Sequence, residues 1–518
     1  MIAAPTITLE TQPPLPTSLT PMALSLTPSE AWQPLGATDW NAAAARHLLR
    51  RTGWTARAED VERAVRDGLD ATLERLFPVT PVRFEKPRLL TRFEATTLTL
   101  QRQSAKLTGD DRLRASREGQ ERSRVGLQEL SVKWLEHAAR PEASAYAKWT
   151  LFLADVYVIS AEKVRNPAAV YRHFDILAEH GLGPAPALTK AVSRSPAMLF
   201  YLDLAQSQLR SPNENFAREL FELFVLGEGN YAEADIKEAA RAFTGYRAQP
   251  DGTFRFDPRN HDQGTKTVFG ETGKFAGDDV IDVAYRQSAA ATFLPREMGR
   301  YYLSDTPLPA AHLAALGDAW RAGGLALRPL VKAFFGSRLF FAPEFRGTLI
   351  KSPIQFYLGL VQDMALDVAP IPRLTLTPLR SMGQLLFHPP NVRGWVGGRH
   401  WINSATISAR RQLVELLFAP LDENALNADE RFELLAARTN GHEHFTVTDV
   451  PLEPLAQLNP EAAAVALVRT FLAEDAATES RELLREFIAA SPSDATQRLR
   501  RLRRAAVTLM QSPGYQLC

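Results

Sequence analysis

Residues 213–226 read NENFARELFELFVL, and their spacing is that of an amphipathic helix. The apolar side chains recur every three or four positions, as on one face of a helix with 3.6 residues per turn, at Phe216, Leu220, Leu223 and Phe224. Ser211 and Pro212 precede this stretch, and Glu214 follows Ser211 by three positions. This pattern predicts a capping box with proline at the first helical position, and Gly227 is expected to end the helix.

The same periodicity extends over most of the chain. Asn166 and Pro167 are a typical cap and first residue of a helix, which is expected to run to His180. The period changes only at residues 253–256 and 265–269, where alternating residues flank a polar loop and predict a β-hairpin. We therefore expect an all-α, multi-helix globular protein with a small β-hairpin insertion near 253–270.

The predicted elements divide the chain into four parts. Residues 1–28 are expected to form a disordered or extended tail, because few large apolar side chains could order them. An N-terminal helical part is predicted for 29–205, and a central helical part with the unusual motifs for 206–418. Residues 419–518 are predicted to form a C-terminal helical part that packs on the rest.

Composition argues against two classes of protein. The chain has 60 basic and 59 acidic residues, so it has no global field that would attract nucleic acid. No stretch approaches the roughly 18 apolar residues of a membrane span. Residues 1–27 lack the basic and apolar regions of a secretory signal, which predicts a soluble, cytoplasmic protein. Cys518 is the only cysteine, so no internal disulfide is expected.

The first candidate site is the polar start of the helix quoted above. It concentrates carboxylates, amides and a guanidinium at Asn213, Glu214, Asn215, Arg218 and Glu219. Such a cluster at a helix N-terminus could bind a metal, a sugar or an anion. The alternative is ordinary capping together with ion pairs between residues four apart on a solvated face.

The second candidate is the loop 260–266, where one turn carries His261, Asp262 and Lys266. Histidine beside aspartate suits acid–base chemistry or metal ligation. The alternative is that the polar residues form an ordinary turn. The glycines that follow do not have the spacing of a phosphate-binding loop, so no nucleotide is implied.

The third candidate is the segment 388–403, in which two tryptophans lie among glycines and prolines. Indole rings together with amide groups suit the recognition of a sugar or a peptide, and the residues that could provide them are Asn391, Trp395, Trp401 and Asn403. The alternative is a buried structural loop that closes one core.

Taken in order, these motifs resemble domain-of-unknown-function family 1800, a large group of bacterial proteins. The resemblance is carried by NENFAREL at 213–220, ARAFTGY at 240–246, Asn-His-Asp at 260–262, Lys-Ser-Pro at 351–353, PPNVRGW at 389–395 and Trp-Ile-Asn-Ser at 401–404. It extends from about residue 45 to residue 516. The family has no established reaction. Many members look exported and are encoded beside proteins resembling sulfatases or alkaline phosphatases, which implies such a protein as a partner.

The chain departs from the family pattern after residue 152. Many members carry a Trp-His-Asn-His-Phe-like stretch there, whereas this chain has LADVY at 153–157, so Ala154 and Val156 replace two imidazoles. If those histidines bind metal or transfer protons in relatives, that chemistry is lost here or has shifted to His261. The departure favours the alternative of a divergent, non-catalytic member.

Two functions follow as hypotheses. The first is a hydrolase or group-transfer enzyme acting on a carbohydrate or peptide, with His261, Asp262 and Glu219 as catalytic residues. Its ligand-binding residues would be Asn213, Glu214, Asn215, Arg218 and Lys266 together with those of the 388–403 segment, and a divalent metal could take part. The second is a non-catalytic binding or assembly protein that works with a partner protein.

Overall fold

The computed structural model describes residues 24–94, 107–249, 253–473, 478–490 and 494–518. The chain is mostly helical, at 65%, with two small two-stranded antiparallel sheets. This confirms the predicted fold class. The predicted tail lies outside the described residues up to residue 23. The proposed division into four parts stays a prediction.

The helices of the first half are Pro28–Ala31, Ala42–Thr52, Ala58–Asp67, Leu69–Leu76, Gly109–Ala139, Pro141–Val156, Ala161–Val164, Pro167–His180, Ala185–Ser193 and Pro196–Tyr201. The central helices are Asn215–Glu219, Glu233–Ala242, Gly277–Arg286, Ser288–Tyr302, Ala310–Ala322, Leu327–Phe335, Pro353–Asp363, Pro372–Ser381 and Ser404–Phe418, with a π-helix at Leu220–Val225. The last helices are Ala428–Thr439, Glu453–Ala456, Pro460–Phe471, Thr478–Ala489 and Ala495–Met510.

Local capping chemistry sets several helix starts. The Asn166 side chain accepts hydrogen bonds from the backbone N–H groups of Ala168 and Ala169, and Pro167 is the first helical residue, as predicted. The predicted capping box at Ser211 is wrong. Ser211 instead forms an isolated bridge with Gln208, and the helix begins four residues later, at Asn215. The Asn213 side chain accepts from the Asn215 N–H there, so an Asx turn replaces the capping box.

The two sheets correct the predicted hairpin. Strand Tyr246–Ala248 pairs with Phe254–Phe256, and strand Lys266–Val268 pairs with Glu271–Gly273. Both predicted strands exist, but each pairs with a nearer segment rather than with the other. The shorter loops of the observed pairs cost less closure entropy than the eight residues, 257–264, between the two predicted strands, and this favours the nearer partners.

One large hydrophobic core extends from Ala31 to Tyr515. The helix Pro141–Val156 crosses it and is buried on nearly all sides, as its mostly apolar sequence leads one to expect. Among the described helices, none combines the length and hydropathy needed to cross a bilayer.

Candidate functional site

The polar groups at the start of helix Asn215–Glu219 pair with one another and with the next helix. The Arg218 guanidinium lies 2.7 Å from Glu233 and 3.5 Å from Glu214. These partners raise the Arg218 pKa further and keep its charge engaged. Asn215 is exposed at the first helical position. The contacts at Asn213, Glu214 and Arg218 are those expected of capping and ion pairing.

Glu219 differs from its neighbours, because no hydrogen bond to its carboxylate occurs among the described residues. It is half-buried, and burial together with the nearby Glu222 raises its pKa. Glu222 lies in the π-helix and accepts hydrogen bonds from the Tyr231 hydroxyl and from Arg393. π-Helical turns frequently occur at functional sites, so this short segment stays a candidate.

The loop 260–266 is held by interactions within its own neighbourhood. Lys266 is 1% exposed and donates to the carbonyl oxygens of Asp262, at 2.5 Å, and Gly264, at 3.1 Å. Asp262 forms an ion pair with Arg241 at 2.7 Å, which lowers the pKa of its carboxyl group. His261 Nδ1 lies 3.0 Å from the Thr244 carbonyl oxygen. These groups hold the turn in place.

The structure gives the first two candidate groups separate partners. Arg218 contacts Glu233 at the start of helix Glu233–Ala242, and Asp262 contacts Arg241 near its end. Eight residues separate those contact points, or about 12 Å along the helix axis. Within the described ranges no hydrogen bond or ion pair joins the two groups. Nor does any set of three or more His, Cys, Asp or Glu side chains there come close enough to hold a metal ion.

The third candidate, the segment 388–403, is attached by its backbone to two half-buried aspartates. The Trp395 N–H donates to Asp155 Oδ1 at 2.9 Å, and the Arg399 N–H donates to Asp305 Oδ2 at 3.1 Å. Each donor follows a glycine with a positive φ, 75° at Gly394 and 54° at Gly398. A Cβ at either glycine would overlap the aspartate carboxyl group. Glycine is therefore required twice, for its conformation and for the close approach.

A cleft of about 60 Å³ lies under this loop. Its lining comes from the helices Pro141–Val156 and Ser288–Tyr302, from the loop, and from the start of helix Pro353–Asp363. Polar side chains reach it from all of these segments and their flanks: Lys148, Asp155, Arg300, Asp305, Gln355 and Gln384. The loop contributes Trp395 and Trp401. Of all the predicted ligand-binding residues, these two indoles are the ones that line the cleft.

The charged groups of the cleft floor are unusual. Lys148 and Asp155 are seven residues apart on one helix, so both face the cleft, about two turns from each other. Burial raises the pKa of Asp155 to about 7, although the Trp395 N–H acts in the opposite direction. Burial lowers the pKa of Lys148 to about 7. Ionisable groups with pKa values near neutrality, lining a cleft, are typical of sites that transfer protons.

Lys148 also has a structural role. Its ammonium group donates to the carbonyl oxygens of Gly53, at 2.9 Å, and Arg50, at 3.4 Å, at the end of helix Ala42–Thr52. A cation there satisfies carbonyls that the helix leaves unpaired and complements the helix dipole. Asp155 has no comparable structural duty beyond its bond to Trp395, so it is the stronger candidate for chemistry.

The remaining predicted residues of the loop serve its conformation. The Asn391 side chain accepts from the Arg393 N–H at 2.9 Å, and Asn403 caps helix Ser404–Phe418 by accepting from the Thr406 N–H at 3.0 Å. Lys148, Asp155 and Asp305 were not predicted as site residues. The departure from the family pattern at 153–157 was the available signal, because Asp155 is the middle residue of that stretch.

Comparison with curated proteins and with solved structures gives no match. The model of one family, described as a protein of unknown function (DUF1800), matches residues 47–517. That match covers all three candidate sites and every residue that lines the cleft. The chain therefore belongs to the DUF1800 family.

Proposed function

We propose that the protein is a hydrolase or group-transfer enzyme that acts on a carbohydrate or peptide in the cleft under the 388–403 loop. The observation that carries the proposal is the position of Asp155, a half-buried carboxyl group that lines the cleft and accepts a single backbone hydrogen bond from that loop among the described residues. The proposed catalytic residue is therefore Asp155 in place of His261, because the groups around His261 hold the 260–266 loop in its conformation.

In this proposal Asp155 transfers the proton. With a pKa of about 7, its carboxyl group is protonated in a large fraction of molecules at neutral pH and can donate to a leaving oxygen or nitrogen. Asp305 supplies a second carboxyl group on the same cleft, and hydrolysis of a glycosidic bond commonly uses two such groups, one as acid and the other as base or nucleophile. Arg300 and Gln384 would hold the substrate.

The test compares four purified proteins: the unchanged chain, Asp155→Asn, His261→Ala and Glu219→Gln. Each is assayed against a panel of p-nitrophenyl glycosides and peptide p-nitroanilides. We expect Asp155→Asn to lower kcat/KM by at least about 100-fold, as for the loss of a general acid, and His261→Ala to change it less than about threefold. Full activity of Asp155→Asn would overturn the proposal. Loss of activity in His261→Ala and Glu219→Gln would support the site predicted from the sequence instead.

A second candidate is a non-catalytic binding or assembly protein. It is favoured by the structural use of the cleft groups, because Asp155 and Asp305 both hold loop backbone and Lys148 holds a helix end. A protein resembling a sulfatase or alkaline phosphatase is the partner that the family association suggests. Stable binding of such a protein, measured by calorimetry and unaffected by Asp155→Asn, together with no turnover on the panel, would favour this candidate.

A further inference from the structure

The cleft offers more free hydrogen-bond donors than acceptors. The Gln384 side-chain oxygen accepts from the Ile354 N–H at 3.1 Å, and its amide N–H groups have no acceptor among the described residues. The indole N–H groups of Trp395 and Trp401 have no acceptor among the described residues, and the Tyr301 hydroxyl likewise has no partner there. None of these atoms is among the buried polar atoms without a partner, so solvent reaches each of them.

Most acceptors of the cleft are already occupied. Asp155 Oδ1 accepts from Trp395 and Asp305 Oδ2 accepts from Arg399. The Gln384 oxygen is used by Ile354, as described above. The second oxygens of Asp155 and Asp305 remain, and since the pKa of the Asp155 carboxyl is about 7, that group also donates in a large fraction of molecules at neutral pH. A group rich in acceptors is therefore the complement of the cleft.

The cleft floor has charged groups of both signs in and around it. Burial is the largest cause of the lowered Lys148 pKa. Cys518 acts to raise this pKa, and the cations Arg51 and Lys351 act to lower it. Arg51 and Lys351 are both buried. Arg300 adds a guanidinium group to the lining, although Glu297 pairs with it at 3.0 Å. An anion in the cleft would be attracted by Lys148 and Arg300 and opposed by Asp305 and by the ionised form of Asp155, so the free hydrogen-bond donors, and not the net charge, carry the preference for an acceptor-rich group.

The size of the cleft limits what enters it. A volume of about 60 Å³ has room for roughly four water molecules, counted at about 15 Å³ each. A carboxylate and the carbon atom that bears it fit this space, whereas the rest of a sugar or peptide would extend outside. We infer that the cleft binds the carboxylate group of its ligand, through the Gln384 amide and the indole N–H groups of Trp395 and Trp401.

This inference rests on the proposed function for the site but not on turnover. Two sources supply the same chemistry, a uronic acid and the C-terminal carboxylate of a peptide. Calorimetry on the full chain with the Asp155→Asn substitution separates binding from reaction. The probe pairs are D-glucuronate against D-glucose, and N-acetylalanine against N-acetylalaninamide. We expect the carboxylate of at least one pair to bind at least 10-fold more tightly than its neutral counterpart.

A second arm tests the named donors. Trp401→Phe keeps an aromatic ring but removes the N–H, and we expect it to weaken carboxylate binding by about 3- to 10-fold, as for the loss of one hydrogen bond. Gln384→Leu should have a similar effect. Trp32→Phe is the matched control, because Trp32 donates to the His312 carbonyl oxygen and does not line the cleft. Thermal unfolding of each variant checks that it is folded.

The outcomes separate the two proposals. Equal binding of both members of each pair, or no binding up to 50 mM, overturns the carboxylate inference even if Asp155-dependent turnover of neutral substrates is found. Carboxylate binding that Trp401→Phe weakens, without any turnover, supports the inference and leaves the enzyme proposal without support. The probe pairs also apply to the unchanged chain, so the inference stays testable if a variant fails to fold.

Discussion

Arg393 Nη2 lies 2.8 Å from Glu222 Oε1, and this contact joins the π-helix Leu220–Val225 to the loop over the cleft. The two residues are 171 positions apart in the chain. Arg393 also pairs with Glu228. The polar segment 213–226 and the 388–403 loop are therefore neighbours. Glu222 and Glu228 bind the loop through the Arg393 side chain, whereas Asp155 and Asp305 bind its backbone N–H groups.

The outer contact is expected to affect the loop more than the fold. Arg393→Ala should lower the free energy of unfolding by no more than about 1 kcal/mol, because the Arg393 side chain is largely exposed and its ion pairs are screened. It should nevertheless increase amide exchange in residues 392–399, measured by hydrogen–deuterium exchange. Arg399→Ala is the control, since it keeps the backbone N–H that binds Asp305. Equal exchange in both variants would contradict the prediction.

The two anchoring glycines should be much less tolerant than the glycine between them. Gly394→Ala and Gly398→Ala combine a positive φ with overlap on an aspartate, whereas Gly397 has a φ of 80° and open space around its Cβ position. We expect Gly397→Ala to cost about 1 kcal/mol and each of the other two to cost at least about 2 kcal/mol more, from chemical denaturation. Equal losses in the three variants would contradict the prediction, because they would show that the positive φ alone sets the cost of the substitution.

Asp155 should make stability depend on pH. Its folded pKa, about 7, lies above the unfolded value near 3.8. Between these two pH values the folded state therefore keeps a proton that the unfolded state has lost. The contribution of the Asp155 carboxyl group to the free energy of unfolding is fully present at low pH and falls as the pH rises toward 7. Arg300, Glu297 and Tyr301 face the carboxyl, and the Trp395 N–H binds it.

Asp155→Asn keeps an acceptor for Trp395 and removes this dependence. Relative to the unchanged chain, the variant should gain about 2 to 3 kcal/mol between pH 5 and pH 8, measured by urea unfolding. Asp262→Asn is a control of opposite sign, because Arg241 lowers the folded pKa of Asp262. That variant should be less stable than the unchanged chain at pH 7, and the difference should shrink in acid. A constant difference for Asp155→Asn would contradict the assignment.

Lys266 is predicted to matter for stability rather than for chemistry. Lys266→Met keeps the length of the side chain but leaves the carbonyl oxygens of Asp262 and Gly264 without their donor. We expect a loss of about 1 to 3 kcal/mol in the free energy of unfolding and little change in activity. Lys274→Met, at an exposed position, should stay within about 0.5 kcal/mol of the unchanged chain.

The parts of the fold that depend on local chemistry were predictable. Asn166 with Pro167 located a helix start because a cap and a fixed φ act within a few residues. The sheet pairings were not predictable, because strands of three residues such as Tyr246–Ala248 carry almost no alternation to detect. At Ser211 the sequence had the pattern of a capping box, yet the backbone there bridges to Gln208 instead.

The cleft was beyond prediction for a different reason. Asp155 and Trp395 are 240 positions apart, and the group that Asp155 binds is a backbone N–H, which every residue except proline has. No residue type marks such a contact in one sequence. Glycines 394 and 398 were visible, but that their backbones press against carboxylates depends on tertiary packing.

Anchoring by backbone N–H groups leaves the side chains of the loop available for exchange. Residues 395 and 399 bind their aspartates without using their own side chains, and Val396 between them is 57% exposed. A library that varies positions 395, 396 and 399 while keeping Gly394 and Gly398 would change the side chains that a ligand in the cleft contacts. The backbone attachment of the loop to Asp155 and Asp305 would stay the same. The same scaffold can thus be given different ligand preferences by substitution alone.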